Sequence, residues 1–157
     1  MKILVDADSC PRQARELILR FSTRTGVPVI FVANRPIPGI TSEGSMEICP
    51  AGEGSADNRI MELACPGDMA VTRDIPLAER LVDAGILVLD DRGGIYTAEN
   101  IRERRSLRDF MVSLAENGLG AERAPSYGKK ELKSFAGSFD RELSRLLRKE
   151  NLAQGKK

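Results

Sequence analysis

The run Val27–Ala33, VPVIFVA, offers no polar face. A strand without one must be covered on both sides, which is the environment of a central strand in a parallel sheet. Three further short apolar segments share that character: Lys2–Val5, Asp68–Thr72 and Ile86–Leu89. Between them lie stretches with helical periodicity. Pro11 suits a first helical turn. Ala14, Leu17, Ile18 and Phe21 then recur at i, i+3, i+4 and i+7, and Gly26 stops the helix. The spacing predicts a second helix opened by Asp57, with Ile60, Met61, Leu63 and Ala64 apolar, ended by Pro66-Gly67. A third starts at Pro76, buries Leu77, Ala78, Leu81 and Val82, and closes at Gly85.

Residues 35–56 are rich in Gly, Pro and Ser and are expected to be loops around one short strand, Met46–Cys49. Thr97 is the expected cap of a helix running to residue 116, closed by Asn117-Gly118. A last amphipathic helix is expected over 129–149, with Leu132, Phe135, Ala136, Phe139, Leu143, Leu146 and Leu147 as its stripe. Residues 1–150 then form one domain, and 151–157 a disordered tail. Strand and helix alternate, so the fold class is α/β. It is a three-layer α/β/α arrangement with a mainly parallel central sheet, plus C-terminal amphipathic helices.

Right-handed crossovers bring the carboxyl ends of parallel strands to one edge, where open α/β sheets bind ligands. Asp6, Asn34, Thr72 and Asp90 fall at such ends, and Asp8, Asp57 and Asp74 fall at the helix starts beside them. Asp6 and Asp8 flank one alanine. On a continuing strand their side chains would share a side, about 7 Å apart. Carboxylates gathered at one edge repel each other unless a divalent cation lies between them. A hard cation held by aspartates points to phosphate chemistry, with Mg²⁺ or Mn²⁺ as the expected ion. Helix-end roles compete with this reading: Asp8 ahead of Pro11, Asp57 as an N-cap and Asp74 ahead of Ile75-Pro76. Capping and metal binding are compatible, since a helix N-terminus favours anionic phosphate.

The chain has no histidine. That excludes a Ser-His-Asp or Cys-His arrangement, a histidine base and a histidine-ligated zinc. Cys10, Cys49 and Cys65 are widely spaced and form no CxxC. They are expected to be small buried hydrophobes in a reducing, cytoplasmic setting, with Cys10 the one whose thiol a helix N-terminus would activate. No segment is long enough to cross a membrane, and the start of the chain is too short in apolar residues for a signal peptide. Asp68 begins its strand and belongs at the opposite edge, and Asp90 and Asp91 suit a turn before Gly93-Gly94.

Charge is unevenly divided. Residues 1–98 hold 10 Lys+Arg and 14 Asp+Glu, a balance of −4; residues 99–157 hold 14 and 9, a balance of +5. An acidic body with a basic flank suits a polyanion, RNA ahead of DNA. Asn34, Thr72 and Arg12 are expected to orient a phosphate, and the arginines that crowd the start of one helix, Arg102, Arg104, Arg105 and Arg108, to hold the strand. Arg141, Arg145 and Arg148 form a further stripe that a solvated helix face explains as well.

In chain order, VDADSCP, VANRP, ADNRI, DMAVTRDIPLA and DRGGIYTAENIRERRSLRDFM, followed by the terminal helix, resemble the bacterial YaiI/YqxD family over residues 2–147. Ser9 stands where that family usually has alanine. The family is grouped by fold with PIN-like nuclease domains. The resemblance therefore implies a PIN-like acidic metal pocket, its positions falling on Asp6, Asp57 and Asp74, with Asp8 as a fourth. The expected activity is metal-dependent hydrolysis of phosphodiesters by these four aspartates. Two alternatives remain at this stage. One is a binding module for nucleic acid or protein without turnover. The other is a small-molecule phosphohydrolase with Asp6 as nucleophile and Asp8 as acid/base. The second needs a core lysine, and Lys2, the only lysine before Lys129, starts its strand on the far edge. An oligomer is compatible with all three.

Overall fold

A computed structural model describes residues 1–40, 45–119 and 126–155. In chain order the elements are β1 (Ile3–Asp6), α1 (Arg12–Thr25), β2 (Val29–Ala33), β3 (Ser45–Ile48), α2 (Ser55–Leu63), β4 (Met69–Val71), α3 (Ile75–Asp83), β5 (Leu87–Leu89), β6 (Ile95–Tyr96), α4 (Ile101–Glu116) and α5 (Lys129–Gln154). They build one six-stranded sheet in the order β3-β2-β1-β4-β5-β6. Every pairing is parallel except β5 with β6, which is antiparallel. The fold is α/β with a mostly parallel sheet, as the strand composition predicts.

Alternation along the strands divides the core in two. Ile3, Val5, Val29, Phe31, Ala33, Met69, Val71 and Leu89 pack against α1 and α5, through Ile18, Phe21, Phe135, Phe139 and Leu143. Leu4, Val32, Ala70 and Val88 face the other way, onto Ala56, Ile60, Leu77, Ala78, Leu81 and Ile101. Period-two alternation with both sets apolar is what a doubly covered sheet requires. Phe139 ties α5 to α1, with its ring 5.2 Å from that of Phe21 and 5.4 Å from that of Phe135. Burying an aromatic or leucine side chain of this kind contributes about 1.5–3 kcal/mol.

The chain runs outward from β1 to β2 and β3, then returns across β1 to β4 on the other side. The switch point therefore lies between β1 and β4, where a crevice opens beyond the strand ends. β1 ends in Asp6, and β4 leads directly into Thr72 and Asp74.

Several expectations are corrected. The two-residue strand β6 is absent from the sequence reading, because Gly93-Gly94 signals only the turn that precedes it. α5 continues through Gln154, four residues into the expected tail. The N-terminal ammonium holds Glu150 at 3.1 Å there, and Leu146 and Leu147 pack on the core. α4 starts at Ile101, and Thr97 caps the turn that leads into it: Thr97 N donates to Asn100 Oδ1 at 2.9 Å, Asn100 N to Thr97 Oγ1 at 3.1 Å, and Ile101 N to the Thr97 carbonyl at 2.9 Å. Cys65 is exposed rather than buried, whereas Cys10 and Cys49 are buried. Burial pushes the Cys10 thiol up to about 12, so the helix start beside it does not activate it.

Candidate functional site: an aspartate-lined cleft

A cleft of about 750 Å³ opens at the switch point, lined by Asp6, Asp8, Ser9, Asn34, Glu53, Asp57, Arg73, Asp74 and Arg108 among others. All four aspartates singled out from the sequence line it.

Asp6 is the innermost, 7% exposed at the end of β1. Its Oδ2 accepts from the Thr72 hydroxyl at 2.8 Å and from Ser9 Oγ at 3.1 Å. Burial pushes its carboxyl above the ordinary aspartate range. Thr72 and Ser9 oppose that shift by stabilising the anion, and the charges of Asp74 and Asp8 add to it.

Asp8 ties two strand ends together, because its Oδ2 accepts from Asn34 N at 3.0 Å. Its Oδ1 lies 3.7 Å from Arg35 Nε. The Asn34 side chain is engaged in turn, accepting from Ser55 Oγ at 2.9 Å, which links the end of β2 to the start of α2.

Asp57 is not the cap of α2. Gly54 occupies the N-cap at φ 78°, a left-handed conformation that glycine adopts without steric cost. Asp57 sits in the first helical turn and lines the cleft. Its carboxyl is pushed up to about 6. Burial contributes most, then the charges of Asp74 and Asp6, with Asp74 close enough to share a hydrogen bond; Arg80 opposes the shift.

Asp74 does cap its helix: its Oδ1 accepts from Leu77 N at 3.1 Å, with Pro76 in the first turn. Asp74 N in turn donates to Thr72 Oγ1 at 3.0 Å. Thr72, only 2% exposed, thus donates to one cleft aspartate and accepts from the backbone of another. Its hydroxyl is spent inside the protein and positions carboxylates rather than facing the cleft.

The basic residues are distributed differently from the sequence expectation. Arg12 pairs with Glu16 at 3.0 Å on the exposed side of α1 and does not line the cleft. Arg102 and Arg105 line a separate concavity with Glu79, Asp83 and Asp109, where Arg105 holds Glu79 at 2.5 Å. Among the described residues, the cations lining the aspartate cleft are Arg73 and Arg108. Arg73 Nε lies 3.6 Å from Asp91 Oδ2, a buried oxygen with no hydrogen-bond donor among the described residues. Arg108, one of the arginines expected to hold the strand, does reach the cleft, whereas Ser9, Glu53 and Arg73 are polar lining residues that the sequence reading missed. Only Arg73, set between Thr72 and Asp74, carried a positional signal. The far edge is as expected: Asp68 holds Lys2 Nζ at 2.6 Å.

Among the described residues, no three carboxylates or thiols converge closely enough to enclose an ion. Small hard divalent cations do not need such a cage. They keep several waters and take one or two carboxylates together with substrate phosphate oxygens. The donors here are hard oxygens. The Asp57–Asp74 pair, with Asp6 beside it, concentrates more negative charge than its surroundings solvate, as the raised Asp57 carboxyl records. On that chemistry the residues fit a partly hydrated cation and not a closed structural site.

Comparison with known proteins places the chain among close relatives. The profile of the uncharacterised YaiI/YqxD family matches residues 4–145. A UPF0178 protein of Treponema denticola is 45% identical over 152 residues, covering 97% of both chains. Another, from Myxococcus xanthus, is 45% identical and covers 96% of this chain and 99% of its own. A third, from Geobacter metallireducens, is 43% identical over 94% of this chain and 96% of its own. No solved structure matches.

Proposed function

This chain belongs to the uncharacterised YaiI/YqxD family, and we propose that it is a Mg²⁺- or Mn²⁺-dependent phosphodiesterase acting on nucleic acid, RNA ahead of DNA. The observation that carries the reading is the meeting of Asp6, Asp8, Asp57 and Asp74 in one cleft at the switch point of the sheet. A PIN-like nuclease domain is its fold-level counterpart and rests on the sequence resemblance alone.

Asp6 and Asp74 would hold the cation, with Asp8 and Asp57 completing the acidic wall. When bound, the ion would lower the pKa of a water molecule and shield the charge of the phosphate. Thr72 favours the anionic form of Asp6 against the effect of its burial and orients it, and Asp8 holds the Asn34 backbone against the cleft. Arg73 and Arg108 supply guanidinium groups for non-bridging phosphate oxygens on an otherwise anionic wall. The phosphomonoesterase alternative loses ground. Among the described residues no lysine lines the cleft, and Lys2 is bound to Asp68 at the far edge.

The test is cleavage of single-stranded RNA and DNA oligonucleotides in Mg²⁺ and in Mn²⁺, with a calorimetric Mn²⁺ titration alongside. Asp74→Asn is the informative variant, because asparagine still caps a helix and the fold survives the change. Wild type is expected to bind Mn²⁺ and cleave, and Asp74→Asn to do neither. Salt-sensitive RNA binding without cleavage in either metal would leave a binding module instead. Undiminished cleavage by Asp74→Asn would remove Asp74 from the site.

A further inference from the structure

Asp91 is a buried carboxylate just outside the cleft wall. It stands two residues beyond β5, as Arg73 stands two residues beyond β4. The two strands are parallel neighbours with Val71 opposite Leu89, and Thr72 N continues the ladder to the Leu89 carbonyl at 3.0 Å. Arg73 and Asp91 therefore leave the sheet side by side, at the edge that holds the aspartate cleft. The Asp91 backbone is pinned there, since its carbonyl accepts from the Tyr127 hydroxyl at 2.6 Å.

Asp91 is 2% exposed, and its Oδ2 has no hydrogen-bond donor among the described residues. Leaving a buried carboxylate oxygen in that condition costs folding free energy, so its presence asks for a reason. Arg73 faces the oxygen through Nε, 3.6 Å away. That is an ion-pair distance, too long for a hydrogen bond. Asp68, equally buried at the opposite edge, shows what a purely structural carboxylate receives in this fold: Lys2 Nζ at 2.6 Å and two backbone donors. Asp91 draws the Arg73 guanidinium by charge without consuming a donor. Burial pushes its carboxyl up; Arg73 is the foremost group opposing that shift, helped by Arg92, while Asp90 adds to it.

We infer that Asp91 is a positioning residue, a buried counter-charge that holds Arg73 at the cleft with its terminal amino groups free for a phosphate oxygen. The inference rests on the phosphodiesterase reading, and Asp91 itself touches no substrate. Arg73 lines the cleft, and among the described residues its guanidinium donates no hydrogen bond. With Nε turned toward Asp91, the forked end remains for a planar, two-point grip on phosphate. Arg108, the other cation lining the cleft, is differently placed: its Nη1 is engaged by Asp109 at 3.0 Å on its own helix.

The experiment compares wild type, Asp91→Asn, Arg73→Gln and the double variant. Asparagine keeps the shape of Asp91 and removes its charge; should that variant fail to fold, Asp91→Ser gives the same comparison. The first readout needs no substrate: nuclear relaxation of the Arg73 Nε–H group, expected to be ordered in wild type and mobile in Asp91→Asn. The second is steady-state cleavage of a single-stranded RNA oligonucleotide in Mg²⁺. Asp91→Asn is expected to raise KM about tenfold, the equivalent of one charge-assisted hydrogen bond, with kcat within about twofold. It should add nothing further once Arg73 is glutamine, because it acts through that residue. Cleavage with an unchanged KM in Asp91→Asn overturns the inference and leaves the phosphodiesterase reading standing. So does a KM effect that persists undiminished in the Arg73→Gln background, or an Arg73 side chain equally mobile with and without the Asp91 charge. An Arg73 ordered by Asp91 in a wild type that neither binds nor cleaves RNA overturns the reading itself, and the phosphate role of Arg73 with it.

Discussion

The Thr72 hydroxyl and the Asp6 carboxylate, 66 residues apart in sequence, meet at 2.8 Å across the switch point of the sheet. Both are buried, so this bond decides how well an inner anion is tolerated. Thr72→Val keeps the shape, removes the donor and leaves Asp74 N without its acceptor. The expected cost is about 1–3 kcal/mol in urea unfolding at pH 7, and Thr72→Ser should recover most of it. Losing the donor also raises the Asp6 carboxyl further. A raised carboxyl destabilises the fold as pH rises, so the deficit of Thr72→Val should shrink toward pH 4. A deficit that is the same at every pH would assign Thr72 a packing role only.

Asp68 is the control for the cleft. It is as buried as Asp6 but lies at the opposite edge, where it accepts from Lys2 N, Lys2 Nζ and Cys65 N at 3.0, 2.6 and 2.9 Å. Asp68→Ala strips three donors of their acceptor and should cost about 2–4 kcal/mol. Mn²⁺ binding per folded molecule should be unchanged. A calorimetric titration in which Asp68→Ala also loses the metal would show that these aspartates support metal binding only through overall stability.

The thiols allow an inexpensive check on the packing. Cys65 is exposed, while Cys10 and Cys49 are buried and the Cys10 thiol is pushed up to about 12. Since the thiolate is the reactive form, a thiol-specific chromophore at pH 8 should label one site rapidly in the native chain and three after unfolding. Peptide mapping should place the fast site at Cys65. Rapid labelling of Cys10 would contradict the packing of the β1–α1 junction.

The parallel sheet was legible because Val27–Ala33, Met69–Val71 and their neighbours are apolar on both faces, a pattern that only a doubly covered strand tolerates, whereas the strand order that sets the switch point was not. The four aspartates followed from the strand ends by topology. What the sequence withheld was direction. Arg12 and Arg73 are equally plausible phosphate ligands in a string of letters, yet one faces Glu16 on an outer helix side and the other lines the cleft. Asp57 resembles an N-cap until the left-handed Gly54 takes that position. The extent of α4 and its clustered arginines were visible, but not that Arg104 and Arg105 are paired with the body. Side-chain direction depends on long-range pairing partners, which local spacing does not contain.

Asp57 provides the sharpest pH test. An unfolded aspartate titrates near 3.9, whereas in the fold this carboxyl titrates at about 6, through burial first and then the charges of Asp74 and Asp6. Between those values the folded chain binds more protons than the unfolded one. Stability should therefore be highest below about pH 4 as far as this group is concerned, and decline as pH rises through 6. The shift sets a ceiling of about 3 kcal/mol, which solvent screening around a partly exposed group reduces to about 1–2 kcal/mol. Asp57→Asn removes the titration and the repulsion. In metal-free buffer at pH 7 it should raise Tm by about 2–8 °C and flatten the pH profile between 4 and 7. The same variant should gain less from added Mn²⁺ than wild type does, because the repulsion that the cation relieves is already gone. Scanning calorimetry with and without Mn²⁺ across that pH range measures both effects. A substitution that lowers Tm at pH 7 and leaves the Mn²⁺ increment intact would mean that Asp57 is stabilised by neighbours other than Asp6 and Asp74, and that the acidic wall is not a single electrostatic unit.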